Sequence, residues 1–274
     1  MKSRLPRAGF GVLFTAALLL PPLSPCLAQP KSGLKPLVEL DPVEGRKQAA
    51  ELVDNLRRIK PTQDMTQTLV FKITDRDDRD SQVSVRFEIV CTPTNFLNVY
   101  QTVPPGDSSR GTKLTIVHTL SQPNEYWICD PADAPARKLA AGELSLPFAG
   151  SDFCAADLGL DFLYWPEQRV TRREMKRSVF CQKLESTDPR PVPGGYSKVV
   201  SWVGANRPDE LVLVRAEAYD AKGKLLKVFE PTKLEKVNGV QELEEMIIWN
   251  RQAGTRTKIE FKFDDRRAGA ATRR

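Results

Sequence analysis

Between Leu69 and Phe263 apolar residues return at every second position, in one short run after another, with turn residues between the runs. Leu69, Phe71 and Ile73 make the first run. Val83, Val85, Phe87 and Ile89 make the second, and they alternate with Ser84, Arg86 and Glu88. The charged stretch Arg76–Asp80 is the turn between them. Strands are then predicted at Asn95–Val103, Lys113–Leu120 and Glu125–Cys129, with Trp127 and Cys129 on one face. A period of two gives each strand one apolar and one solvated face, as in an antiparallel sheet.

The segment Leu146–Leu158 breaks the alternation. It is apolar and aromatic, and short polar residues punctuate it. Ser151 or Asp152 is placed to cap a short helix starting at Phe153. Phe148, Phe153 and Leu158 then either plug one end of the core or close the mouth of a cavity.

Alternation resumes beyond it. Phe162–Trp165 is an aromatic cluster ended by Pro166, and Arg169–Arg177 is a basic run expected on a solvated strand or loop face, or as a docking patch for an acidic partner or lipid headgroups. Strands are predicted at Ser178–Glu185, Tyr196–Val203, Leu211–Tyr219, Leu225–Phe229, Glu242–Asn250 and Thr255–Phe263. Pro189–Gly195 reads as a loop, Asn206–Asp209 as a turn, and the segment around Gly223 as a hairpin. One stretch has helical spacing instead. Asp41-Pro42-Val43-Glu44 is a helix start, with Asp41 as cap, Pro42 at the first position and Glu44 spaced for a capping box. Val43, Ala50, Val53, Leu56 and Ile59 form its stripe, and Lys60-Pro61 ends it.

Helix and strand do not alternate, so a parallel α/β fold is excluded. The expected fold is mainly β (α+β): a single strongly curved antiparallel sheet, covered by an N-terminal helix and short helical inserts.

The N-terminus adds a compartment. Lys2, Arg4 and Arg7 precede an apolar run, Phe10–Leu20, and Cys26-Leu27-Ala28 is a small-residue cleavage site. Residues 1–28 read as a signal peptide, 29–40 as an extended leader, 41–263 as the folded domain and 264–274 as a disordered basic tail. Cys26 after Leu23-Ser24-Pro25 admits a lipid anchor, which Pro25 argues against. Periplasmic export is the expectation. The formal charge of +6 resides largely in the signal peptide and the tail, so the body carries no electrostatic footprint for nucleic acid.

Four cysteines follow the cleavage site: Cys91, Cys129, Cys154 and Cys181. In an oxidising compartment they allow three full pairings, of which Cys91–Cys129 with Cys154–Cys181 suits the strand ends. Four buried free thiols are the alternative. Their spacing does not suit zinc. His118 is the single histidine and sits in a strand pattern without a nucleophile signature. Gly194-Gly195-Tyr196-Ser197-Lys198 lacks phosphate-loop spacing. No catalytic set, metal site or cofactor is expected, and the chain reads as a non-enzyme.

The second half carries a resemblance. Phe148-Ala149-Gly150-Ser151-Asp152-Phe153 with Asp157-Leu158 resembles the "gSDF…DL" signature of bacterial outer-membrane lipoprotein-sorting proteins with a LolA/LolB-like fold. Cys181–Glu185 followed by Tyr196-Ser197-Lys198, then Tyr219–Lys227, then Met246–Asn250 with Gly254-Thr255-Arg256-Thr257, agree with that family in order. The match covers Leu144 to Phe263, and the first half agrees only in general pattern.

The resemblance implies an incomplete β-barrel enclosing a hydrophobic cavity for the acyl chains of lipoproteins or related lipids. It implies a periplasmic carrier or chaperone, with an inner-membrane transporter as donor and an outer-membrane acceptor. A lipid- or protein-binding sensor or adaptor that does not shuttle cargo is the alternative. Trp127, Phe148, Phe153, Leu158, Phe162, Trp165 and Trp202 are the candidates for cavity lining or lid, each of which is otherwise plain core.

Overall fold

The computed structural model describes residues 39–107, 110–120, 122–205, 211–237 and 240–262. The segments expected as signal peptide, as most of the leader, as the turn at 206–209 and as the tail, with Cys26, lie outside the described residues.

Helix α1 spans Pro42–Arg58. Asp41 Oδ1 caps it, accepting from the Val43 and Glu44 amides at 2.9 and 3.2 Å. Glu44 does not complete a capping box; its carboxylate accepts from Gln48 one turn on. The buried face is Gly45, Ala49, Leu52, Val53 and Leu56. Val43 and Ala50 of the predicted stripe are exposed. The burial face is set by the strand beneath the helix, which the spacing of Val43 and Ala50 does not encode.

Thirteen strands follow among the described residues: β1 Met65–Thr74, β2 Asp80–Cys91, β3 Asn95–Thr102, β4 Lys113–Thr119, β5 Glu125–Cys129, β6 Arg137–Lys138, β7 Glu167–Lys176, β8 Val179–Thr187, β9 Lys198–Ala205, β10 Leu211–Tyr219, β11 Leu225–Val237, β12 Val240–Asn250 and β13 Thr255–Lys262. They form one antiparallel sheet in the order β6-β5-β4-β3-β2-β1-β13-β12-β11-β10-β9-β8-β7. Each half of the chain is a meander, and β1 zips to β13 with Leu69 opposite Phe261 and Phe71 opposite Ile259. β6 and β7 remain as edges, so the curved sheet is an incomplete barrel. β11 runs well past the predicted Phe229 because a bulge at Pro231–Leu234 accommodates a residue that cannot donate to the ladder.

Alternation puts one face of this sheet in the core. In β3 and β4 every second residue is buried, including Tyr100, Leu114 and Ile116. The concave face is filled in two parts. Phe148, Phe153 and Leu158 fill the trough over β1–β5, β12 and β13. Helix α1 and the 3-10 turn Asp161–Tyr164 fill the trough over β7–β10. α1 lies directly on β7: the Leu40 amide donates to Thr171 O at 2.7 Å, and a Cβ built on Gly45 stands 2.5 Å from Val170 O. Only a glycine permits that approach.

The basic run proves to be edge strand β7. Arg169 pairs with Glu185, Arg172 with Glu174 and Arg177 with Glu230. None of the described helices is long and apolar enough to cross a membrane.

Candidate functional site

The segment after β6 is a tight loop before it is a helix. Ala149 and Gly150 both take left-handed φ, 56° and 67°. The Phe148 amide donates to Phe153 O at 2.8 Å and the Ser151 amide to Phe148 O at 3.0 Å. Ser151 Oγ donates to Phe148 O at 2.7 Å and accepts from the Phe153 amide at 3.1 Å. This fold-back aims Phe148 and Phe153 the same way. Both rings meet Phe71, with centroids 6.4 and 6.0 Å away. Helix α2, Ala155–Leu158, starts two residues later than predicted. Neither Ser151 nor Asp152 caps it; Asp157 Oδ2 reaches back to the Cys154 amide at 3.0 Å instead.

Asp152 is free of capping because it clasps the sheet. Its two carboxylate oxygens accept from the Thr255 and Thr257 hydroxyls of β13. Its amide donates to Thr257 Oγ1 at 2.9 Å, and its carbonyl accepts from Lys227 Nζ of β11 at 2.6 Å. Lys227 Nζ also reaches Asp157 Oδ2 at 3.0 Å, while Tyr196 OH donates to Asp157 Oδ1 at 2.8 Å. Cys154 Sγ completes the group, 3.0 Å from Asp157 Oδ2. Residues from all the family-like motifs of the second half except Cys181–Glu185 and Met246–Asn250 thus meet in one polar clasp.

Burial controls the charges here. Desolvation pushes the Cys154 thiol up to about 12, and the Asp157 carboxylate adds to the shift. Tyr196 is raised well above 10 by desolvation and then by Asp157. Desolvation works against the Lys227 ammonium, but Asp157, Cys154 and Asp152 outweigh it and its pKa is raised. The lysine is a charged tether, and the thiol and phenol stay protonated.

Beside the clasp, under the 3-10 turn, the concave face is incompletely filled. A small cavity of about 40 Å³, partly open to solvent, lies between the turn and β9–β12. Phe162, Trp165, Leu213, Phe229 and Ile248 supply apolar wall, and Ala216 and Ala218 leave the room. Its polar wall is Asp157, Asp161, Tyr196 and Lys227. At that size the walls stand nearly closed. Asp161 accepts from Tyr126 OH and Trp165 Nε1, each at 3.2 Å. Two smaller spaces adjoin the same turn, and Leu160 borders all three.

Of the residues picked from the sequence, Phe162 and Trp165 line this cavity. Phe148, Phe153 and Leu158 are 5%, 1% and 8% exposed and pack in the core cluster over β1–β5, β12 and β13, away from the cavity wall. Trp127 and Trp202 are on the wrong face. Trp127 alternates with the core residue Tyr126 and lies under Lys138. Trp202 packs with Cys181, Val200 and Val214 on the convex side, donates to Glu174 at 2.5 Å and carries Lys176 4.0 Å above its ring. An aromatic residue in a strand gives its side only once the register is known, and a basic face can cover it by cation–π contact.

The two disulfides are also corrected, since all four thiols are free. Cys91 sits at the Phe96–His118 end of β2–β4, and Cys129 faces Lys113 at the other end, three strands away. Cys154 is in the clasp, whereas Cys181 lies on the convex face. His118 is buried between Asn98, which donates to Nε2 at 3.1 Å, and the stacked ring of Phe96. Tyr196, Lys227, Thr255 and Thr257 went unassigned as site residues, although each stands in a motif that carries the resemblance.

The comparisons with known proteins follow this geometry. A family model described only as "uncharacterized protein" matches residues 101–268. No curated protein matches the chain significantly. Solved structures do. One is a DUF1329 family protein from Desulfovibrio piger, 22% identical over 80% of this chain and 92% of that one, TM-score 0.63. A second is a domain assigned to an outer-membrane lipoprotein-sorting protein from Vibrio parahaemolyticus, 19% identical over 80% and 91%, TM-score 0.64. A third is a LolA superfamily protein from Nitrosomonas europaea, 18% identical over 80% and 91%, TM-score 0.54. At these identities the likeness is one of fold.

Proposed function

We propose that this chain, which belongs to the family whose model spans residues 101–268 and shares its fold with the LolA superfamily structure, is a periplasmic, non-enzymatic carrier for the acyl chains of lipoproteins or related lipids. The observation that carries this reading is the apolar cavity on the concave face, roofed by the turn Asp161–Tyr164. An acyl chain entering it gains about 0.8 kcal/mol per buried methylene. The cavity is too tight for such a chain as it stands, so loading requires the roof to move. Leu160 precedes that roof with a left-handed φ of 49°, and the spaces on either side of it merge once it lifts. Arg57 ties the roof to α1 by donating to Leu163 O and stacking 4.6 Å over Tyr164.

Residues 1–28 act in this reading as a cleaved export signal and 264–274 as a basic tail. A transporter of the inner membrane supplies the cargo and an outer-membrane acceptor takes it. The sensor or adaptor alternative keeps the basic run Arg169–Arg177 as its docking patch, although Arg169, Arg172 and Arg177 are each paired with a glutamate.

The test is native mass spectrometry of the mature protein purified from a periplasm, with lipid extraction of the same sample. A bound mass that extracts as an acyl lipid supports the carrier. Ala216→Phe, which fills the cavity, should then lose that mass while keeping its fold. A clean mass with no uptake of a fluorescent fatty acyl probe overturns it.

A further inference from the structure

The cavity is apolar along most of its wall and strongly asymmetric in charge at one end. Asp157, Asp161 and Lys227 are the ionisable acid and base groups among its described lining residues. Lys227 is the one cation of this wall, and it is already committed: its ammonium donates to Asp157 Oδ2 at 3.0 Å and to Asp152 O at 2.6 Å. The Asp152 carboxylate stands close enough to act on Lys227 as well. Asp161 receives only neutral donors, Tyr126 OH and Trp165 Nε1. Burial first, and Asp188 after it, raise the Asp161 pKa above the ordinary carboxylate value, against the two donors that lower it. Two carboxylates, Asp157 and Asp152, therefore share one ammonium, and Asp161, beside the aromatic wall, has no cation among its hydrogen-bond donors. In so buried a place an unbalanced charge acts on a ligand with little screening.

We propose that the cavity selects long-chain ligands by the charge of their polar end, taking long-chain amines with Asp161 as counter-ion, tolerating neutral heads and rejecting fatty acid carboxylates. This rests on the cavity being the ligand site, as argued above. A carboxylate laid against this wall meets Asp161 without a free cation to receive it, since recruiting Lys227 would strip Asp157 of its partner. An ammonium at the same place restores neutrality. A hydroxyl or amide donor gains one hydrogen bond to Asp161 without a net charge effect.

The experiment is displacement of the neutral dye 1-N-phenylnaphthylamine from the mature full chain by hexadecylamine, hexadecanol and palmitate, all below their aggregation concentrations. Hexadecylamine should displace the dye at about one-tenth of the palmitate concentration or less, with hexadecanol between them. Asp161→Asn should bring the three within about threefold of each other. Palmitate displacing as well as or better than the amine overturns the selection while leaving the cavity reading intact. Failure of the dye and of all three chains to bind overturns the cavity reading, and this one with it. The wild-type ranking decides the matter by itself should the variant not fold.

Discussion

Lys227 and Asp157 form a buried ion pair, 3.0 Å apart, with side chains only 14% and 13% exposed. One residue comes from the middle of the sheet and the other from the insert that fills it. The pair therefore fixes the insert at the edge of the cavity. Lys227→Met leaves Asp157 buried without its cation and should cost about 3–5 kcal/mol in urea unfolding. The double variant Asp157→Asn, Lys227→Met should cost less than the sum of the two singles. Additivity would show that the two groups are not coupled.

The same lysine sets a pH signature at the alkaline end. Its folded pKa lies above the ordinary 10.5, so the extra stability is complete below that pH and is lost as pH rises through the folded value. The stability gap between wild type and Lys227→Met should narrow as the medium passes into that range. A constant gap would show that packing, and not charge, accounts for the cost.

His118 works at the acid end with the opposite sign. Burial lowers its pKa from 6.5 to about 4. Between those values the unfolded chain takes up a proton that the folded chain refuses, so stability falls as pH drops. Integrated over the interval, the loss is about 3 kcal/mol. His118→Gln should flatten the slope of unfolding free energy between pH 6.5 and 4. An unchanged slope would assign acid sensitivity to other groups.

Asp152 holds the insert to β13 through Thr255 and Thr257. Thr257 is fully buried. Asp152→Ala leaves its hydroxyl without this acceptor and should destabilise by about 2–4 kcal/mol. The companion change Asp152→Asn should cost less, because one oxygen still accepts. Equal costs would mean that the carboxylate charge, which both variants remove, carries the interaction.

Gly45 is the point of closest approach between α1 and β7. Gly45→Ala drives a methyl group into Val170 O and should lower stability by about 1–3 kcal/mol, although alanine is the better helix former. A gain in melting temperature would show that the helix can lift from the strand at no cost.

Much of this protein is written along its chain. Strict alternation in Val83–Ile89 gives a strand with one buried face, because a pleated backbone sends successive side chains to opposite sides. Asp41-Pro42 starts a helix by local chemistry alone. The order of motifs from Phe148 to Thr257 carries the family. What the chain does not state is which side of the sheet an aromatic residue takes. Trp127 and Trp202 are as apolar as Phe162 and Trp165, yet only the latter pair reaches the cavity. Their side depends on the register of every strand between the edges and on which face the sheet curves around. Free thiols replace the suggested disulfides for the same reason, since strand ends close in sequence pattern lie at opposite ends of the sheet. The clasp of Asp152, Asp157, Tyr196, Lys227, Thr255 and Thr257 spans 103 or more residues in its contacts from Asp152 to the β13 threonines. No local spacing encodes such a meeting; closing the sheet between β1 and β13, and folding the insert into its hollow, creates it.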